Sequence, residues 1–195
     1  QRQMCIRDSL TTGATLTLQG HTPDSWTAPA YSQVIAISAA MAARGQIVYH
    51  LGTPRTYQWW RITIADSANP DGYVRIGRVF LGTYAQPARS YYKEWSLTVV
   101  DPSEVMVNKT GQKFVNVRPS YHEIKLDFRS VPAADRTIFK AIADEVGQAY
   151  PFWITLDSGD LAGSTYYVSA ASPWEIVHIF MSQLYRMPLE LEEER

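Results

Sequence analysis

Clustered oxygen ligands and scattered imidazoles are the groups in this 195-residue sequence that could do chemistry. Asp66, Asn69 and Asp71 form one cluster and Asp157 with Asp160 a second, and both offer the hard oxygen donors that calcium takes. Neither has the spacing of an EF-hand loop, and Asp and Asn between strands ordinarily bond their own backbone, so turns are expected at both places. His21, His50, His122 and His178 show no HxxxH spacing that would set two imidazoles on one helical face. His122 and His178 fall on apolar strand faces, where a packed histidine with one hydrogen bond is the ordinary outcome. GxSxG, GxxxxGK[ST], GxGxxG and HExxH are all absent, which removes the usual sequence support for hydrolase, nucleotide-binding and zinc-protease chemistry. A carboxylate pair that meets only in space stays open. The expectation is a protein that is not an enzyme and carries no cofactor and no metal.

Four aromatic residues, Trp26, Tyr31, Trp59 and Tyr84, are candidates for a recognition surface. An exposed ring complements the C–H face of a sugar, while Trp and Tyr are also enriched where proteins meet. Trp59 breaks the alternation set by Trp60, so one of the two must point outward, and an outward Trp favours an interface between subunits over a glycan platform.

These residues need a scaffold, and composition points to β structure: 12% of the chain is aromatic, with six Trp and twelve Tyr, and only 19% is charged. The net charge of −1 gives no basic surface for nucleic acid or an anionic membrane, so neither is expected as a partner. The sequence has no apolar run long enough to insert in a membrane, and no apolar segment of a secretory signal at its start. Its single cysteine, Cys5, excludes an internal disulfide and a multi-cysteine metal site. The sequon at Asn108-Lys109-Thr110 is read as chance, and the run of glutamates from Glu190 to Glu194 as a solvated strand end.

Period-2 patterns place strands at 15–19, 33–38 and 46–51, with an Ala-rich helical turn at 39–43 stopped by Gly45. Trp60, Ile62 and Ile64, then Val74, Ile76, Arg78 and Phe80, alternate on either side of Asn69-Pro70-Asp71-Gly72, which predicts a β-hairpin over 59–82. A linker is expected over 83–89, TYAQPAR. Beyond it come strands near 95–99, 113–117 and 122–129, one amphipathic helix over 132–149 with the stripe Ile138, Phe139, Ile142 and Val146, and further strands at 152–156, 166–170, 174–180 and 187–191.

Two resemblances run along these patterns. The order aromatic-Arg-Ile-x-Ile-x-Asp followed by Asn-Pro-Asp-Gly-Tyr-x-x-Ile-Gly-Arg-x-Phe-x-Gly resembles the closing strands of a galactose-binding-like (discoidin-type) jelly roll, as found in carbohydrate-binding modules and bacteriophage tail proteins. The order of elements from Tyr92 to Glu194 resembles the β-rich ring-forming domain of phage tail proteins near the tail tip. Residues 1–9, QRQMCIRDS, resemble the conceptual translation of a sequencing adapter and are read as a non-native leader, leaving Cys5 without chemistry and the jelly roll possible in incomplete form. The resulting expectation is a mainly β chain, with a β-sandwich jelly roll over 10–86 followed by a second β-rich domain with one α-helix over 90–195. The resemblance implies a structural component of a phage tail tip or baseplate in the virion, forming a ring with copies of itself. It also implies neighbouring tube and hub proteins, and contact with a cell-surface glycan. The alternative is a carbohydrate-binding module of a host-recognition or glycan-active protein.

Overall fold

The computed structural model describes residues 2–8, 10–179 and 183–194, the first of these segments through its backbone. Gln1, Ser9, Phe180 and Arg195, each part of a stretch interpreted above, lie outside the described residues. The chain is mainly β, with antiparallel sheets and, among the described residues, three helices. It forms two compact units, one comprising Gln1–Tyr84 with Thr155–Thr165 and the other Ala85–Ile154 with Tyr166–Arg195.

The first unit holds two three-stranded sheets. In one, β1 (Arg2–Asp8) runs between β4 (Gln46–His50) and β6 (Ile76–Thr83). In the other, β2 (Thr15–His21) runs between β3 (Tyr31–Ala36) and β5 (Trp59–Ala65). Alternation in β2 turns Leu16 and Leu18 fully inward, where they meet Ile35 of β3 and Ile47 of β4, with Trp60, Ile62, Ile64 and Leu81 packed around them. The core therefore lies between the two sheets. Residues 2–8, set outside the fold in the sequence reading, supply the middle strand of one of these sheets.

The predicted hairpin over 59–82 is not formed. Both of its strands exist, but β5 pairs with β2 and β6 pairs with β1, so residues 66–75 carry the chain from one sheet to the other. The physical reason is that Trp60, Ile62 and Ile64 of β5 and Leu81 of β6 pack on one core from its two sheets, whereas a hairpin would set the strands side by side in a single layer. The connection is pinned at its start, where Asp66 accepts from the Thr11 N–H (2.9 Å) and hydroxyl (2.7 Å). Within it Gly72 has φ of 72°, the left-handed turn conformation its lack of a Cβ permits.

Helix α1 (Ala39–Arg44) is the expected Ala-rich turn, capped by the Ser38 hydroxyl and ended by Gly45. Its Arg44 reaches the segment 155–165, which contains the short helix α2 (Leu161–Ser164). The guanidinium donates to the carbonyls of Ala162 (3.0 Å), Gly163 and Thr165 (3.3 Å). Gln46 adds a bond to the Thr165 carbonyl at 3.3 Å, and the Thr155 and Thr165 hydroxyls meet at 2.8 Å.

The second unit is built on a six-stranded antiparallel sheet. The strands β10 (Phe152–Thr155), β11 (Thr165–Ala170), β13 (Leu184–Glu193), β9 (Tyr121–Val131) and β7 (Ser96–Val100) lie side by side in that order, and β12 (Val177–Ile179) also pairs with β13. Ile124, Leu126 and Phe128 stand opposite Leu191, Leu189 and Met187, so the clean alternation seen in the sequence becomes one buried face. Helix α3 (Ala133–Val146), within the predicted 132–149, packs on it with Phe139 at 5.0 Å from the Phe128 ring. Trp174 Nε1 donates to the Gly147 carbonyl (2.9 Å) and holds the helix end. Asp135 is buried and accepts from the Ala88 N–H at 2.8 Å, so this first-turn carboxylate ties down the preceding chain. On the opposite face Asp127 takes a two-pronged bond from Arg186 (2.9 and 3.0 Å) and one from Arg129 (2.6 Å), with its side chain only 15% exposed.

Two outcomes follow from this packing. A Cβ on Gly20 would sit 2.4 Å from Tyr57 Cδ2 and 3.2 Å from the Trp60 ring, so Gly20→Ala is expected to cost about 1–3 kcal/mol in urea denaturation, the range for overpacking. The Arg186 and Arg129 bonds hold the Asp127 carboxyl below its ordinary value of 3.8. A depressed folded value means the stabilisation is complete above the ordinary aspartate range and is lost as pH falls through the folded value. Denaturation midpoints measured from pH 6 down to pH 2 should therefore fall less steeply in Asp127→Asn than in the parent chain.

Candidate functional site

The outer face of the sheet β3-β2-β5 carries the candidate aromatics that point away from the core. Trp59 is 43% exposed at the end of β5, opposite His21 of β2, while Trp60, one residue on, turns into the core. Beside them Gln19, Ser32 and Arg61 share one outward row of the register. The Gln19 amide donates to the Ser32 hydroxyl (3.2 Å), and Arg61 Nε donates to the Gln19 carbonyl oxygen (2.9 Å). The Arg61 guanidinium lies over the Trp26 ring at 4.6 Å, and the Trp26 indole N–H is taken by Asp24 (2.9 Å). The result is a flat polar surface with hydroxyl, carboxamide and guanidinium groups next to two indoles.

Tyr31 and Tyr84 do not join it. Tyr31 stands opposite Gly20 on the inward face, edge-on to Trp60 at 6.2 Å and under the Arg55 guanidinium at 5.2 Å. Burial, reinforced by a hydrogen bond to Tyr49, pushes its hydroxyl up to about 12, so it stays a neutral phenol. Tyr84 stacks on His50 at 4.7 Å and 14°, and burial pushes the His50 imidazole below its ordinary range. The four candidates thus separate into an outward pair, Trp26 and Trp59, an inward Tyr31 and a stacked Tyr84.

The carboxylate clusters are engaged in their own turns. Asn69 Oδ1 accepts from the Asp71 N–H (3.0 Å), Asp157 from Gly159 (2.8 Å) and Asp160 from Gly163 (2.9 Å). Thr11 holds Asp66 below its usual range. Among the described residues no three His, Cys, Asp or Glu side chains come together to hold a metal ion. His122 Nδ1 lies 2.6 Å from Glu193 Oε2, with its ring edge-on to Tyr166 at 5.3 Å, whereas His178 tilts against Tyr185 at 5.1 Å and is exposed.

A further surface was missed by the sequence reading. Between β7 and β9 the chain runs out into a two-stranded ribbon, the first strand Glu104–Val107, here β8a, and the second Lys113–Asn116, here β8b. Val105 opposes Val115 and Met106 opposes Phe114, so both faces of the ribbon are apolar. Every residue of both strands is exposed, Val105 by 59%, Met106 by 60% and Phe114 by 55%. Its base is fixed by the Arg118 N–H on the Ser103 hydroxyl (2.9 Å) and by an Arg118–Glu104 ion pair at 2.8 Å. Its tip is tied by Asn108 Oδ1, which accepts from the Thr110 and Gln112 N–H groups at 3.0 and 2.9 Å, so the sequon asparagine is a turn residue. The signal was the run Val105-Met106-Val107, whose lack of alternation fits neither a half-buried strand nor a helix.

The two neighbouring tryptophans can be told apart by mutation. Trp60→Ala should cost about 3–5 kcal/mol because it empties a core position. Trp59→Ala should stay within about 0.5 kcal/mol, the ordinary range for a surface change. Paired denaturation curves check this.

Comparison of the sequence with models of known protein families and with curated proteins finds no match.

Proposed function

We propose that this protein is a structural component of a larger assembly, in the manner of the ring-forming proteins of a phage tail tip or baseplate, and that it works without catalysis. The observation that carries this reading is the ribbon Glu104–Asn116. A lone two-stranded ribbon is marginal in water, and one with valines on one face and Met106 with Phe114 on the other gains stability only when both faces are covered. A head-to-tail ring supplies that cover, because a protruding element on each copy fits a different surface on the next and the ring closes when the rotation does. The two opposed antiparallel sheets of the first unit are compatible with a galactose-binding-like jelly roll. The virion tail is then the protein's place, with copies of itself and adjoining tube and hub proteins as its partners. No described helix is long and apolar enough to cross a membrane.

A second reading is favoured by the outward surface of Trp59, Trp26, Arg61, Gln19 and Ser32, whose indoles and hydrogen-bonding side chains suit a glycan chain on a flat sheet. The first reading takes precedence because that polar row is already bonded within itself, while the ribbon has nothing over it in the described chain.

Native mass measurement tests the reading. The parent chain is expected as a defined oligomer, and Val105→Glu combined with Phe114→Glu is expected as a monomer with an unchanged circular dichroism spectrum. A parent chain that stays monomeric at micromolar concentration while binding sugars on a glycan array would replace the first reading with the second.

A further inference from the structure

The outer face of the six-stranded sheet in the second unit carries charge that the chain itself leaves unbalanced. Alternation in β9 and β13 turns Ile124 and Leu191 inward, so Glu123 and Glu192 stand outward and directly opposite each other, flanked by Thr98 of β7 and Ser169 of β11. Like charges placed about 5 Å apart across a strand pair repel. The lysine next along this face, Lys125, is already taken by Glu190 at 3.1 Å. Among the described residues Glu123, Glu192 and Glu194 take part in no ion pair. Tyr121 feels both carboxylates: burial, then the charges of Glu192 and Glu123, hold its phenol above the ordinary value of 10.0. One row nearer the sheet end, Tyr121 and Tyr167 add their rings to the same face, and Tyr167 packs on Trp153 at 4.9 Å.

The ribbon Glu104–Asn116 carries the complement. At its base the Glu104 carboxylate is neutralised by Arg118, whereas Lys109 in the tip and Lys113 at the start of β8b are exposed and, among the described residues, in no ion pair. The far end of the ribbon is therefore cationic, and Met106 and Phe114 follow it along the two strands. The net charge of −1 gives the whole chain little pull on its own copies, so attraction between copies comes from charge segregated in this way. Ribbon and acidic row belong to the same end of the sheet, since β7 leaves it at Val100 and β9 enters it at Tyr121. No ion pair joins the two within one chain. They are different patches that match each other, which is what a head-to-tail contact requires.

We infer that the outer sheet face at Glu123, Glu192, Tyr121 and Tyr167 receives the ribbon of a second copy of this chain, with Lys109 and Lys113 against the carboxylates and the Met106 and Phe114 face against the tyrosines. The contact rests on the assembly proposed above and gives the ribbon its acceptor. Lysines brought to the row also relieve the repulsion between Glu123 and Glu192, so both surfaces gain from meeting.

Charge reversal on the full chain tests this, with oligomer dissociation followed by native mass measurement over a dilution series. Lys109→Glu combined with Lys113→Glu is expected to raise the dissociation midpoint of the parent oligomer at least about tenfold, because like charges then meet. Glu123→Lys combined with Glu192→Lys is expected to do the same, and both variants to keep the parent's circular dichroism spectrum. Mixing the two variants is expected to give species that contain both chains, and one chain carrying all four changes to return within about threefold of the parent midpoint, the usual additivity error. An unchanged midpoint in either variant, a mixture without shared species, or a four-change chain no tighter than the two variants overturns the contact and leaves the proposed assembly standing. A monomeric parent overturns both. Should the Glu123→Lys, Glu192→Lys chain not fold, Glu123→Gln with Glu192→Gln takes its place. The lysine reversal is then expected to cost less in that background than in the parent, and an equal cost overturns the contact.

Discussion

The crossing from β5 to β6 is the constraint on which the first unit depends. Because residues 66–75 pass from one sheet to the other, Ile62 and Ile64 of β5 and Leu81 of β6 pack on the core of Leu16 and Leu18 from opposite sheets, while Ile76, Val79 and Phe80 of β6 stay exposed. Had the two strands paired, that core would have lost one wall. The grip of Asp66 on Thr11 starts the crossing at a fixed point, and the crossing brings β6 into the sheet of β4, where β1 lies between the two.

In the second unit the same logic acts through a single sheet with one helix. Phe128 and Phe139 join the two layers, and the Asp127–Arg186–Arg129 group fixes the other face. The ribbon of Glu104–Val107 and Lys113–Asn116 departs from this arrangement, with apolar side chains on both of its faces and, among the described residues, no layer above either. That contrast, more than any single residue, separates surface built for the chain's own stability from apolar surface left exposed.

Much of the strand content was legible because burial on one face imposes a period of two, as in Ile124-x-Leu126-x-Phe128 and Leu16-x-Leu18. Which strands pair was not legible at 59–82, since pairing runs through backbone groups that every residue shares, and two alternating runs joined by a turn serve a hairpin or a crossing equally well. Helix α2 escaped notice because four residues carry no periodicity, and its support comes from Arg44, far away in the sequence. At the candidate surface, the outward aim of Trp59 could be read from its neighbour Trp60. The division of Trp26 from Tyr31 could not, because Trp26 lies outside any strand and Tyr31 takes its side from its pairing with Gly20.

The bonds from Arg44 to the carbonyls of Ala162, Gly163 and Thr165 span well over a hundred positions of chain. A ribosome makes the protein from one end, so the first unit cannot close when Tyr84 emerges and must wait until Thr155–Thr165 has emerged as well. Long-range closure of this kind slows folding, and it defers the final form of the first unit until residues 155–165 are available to it.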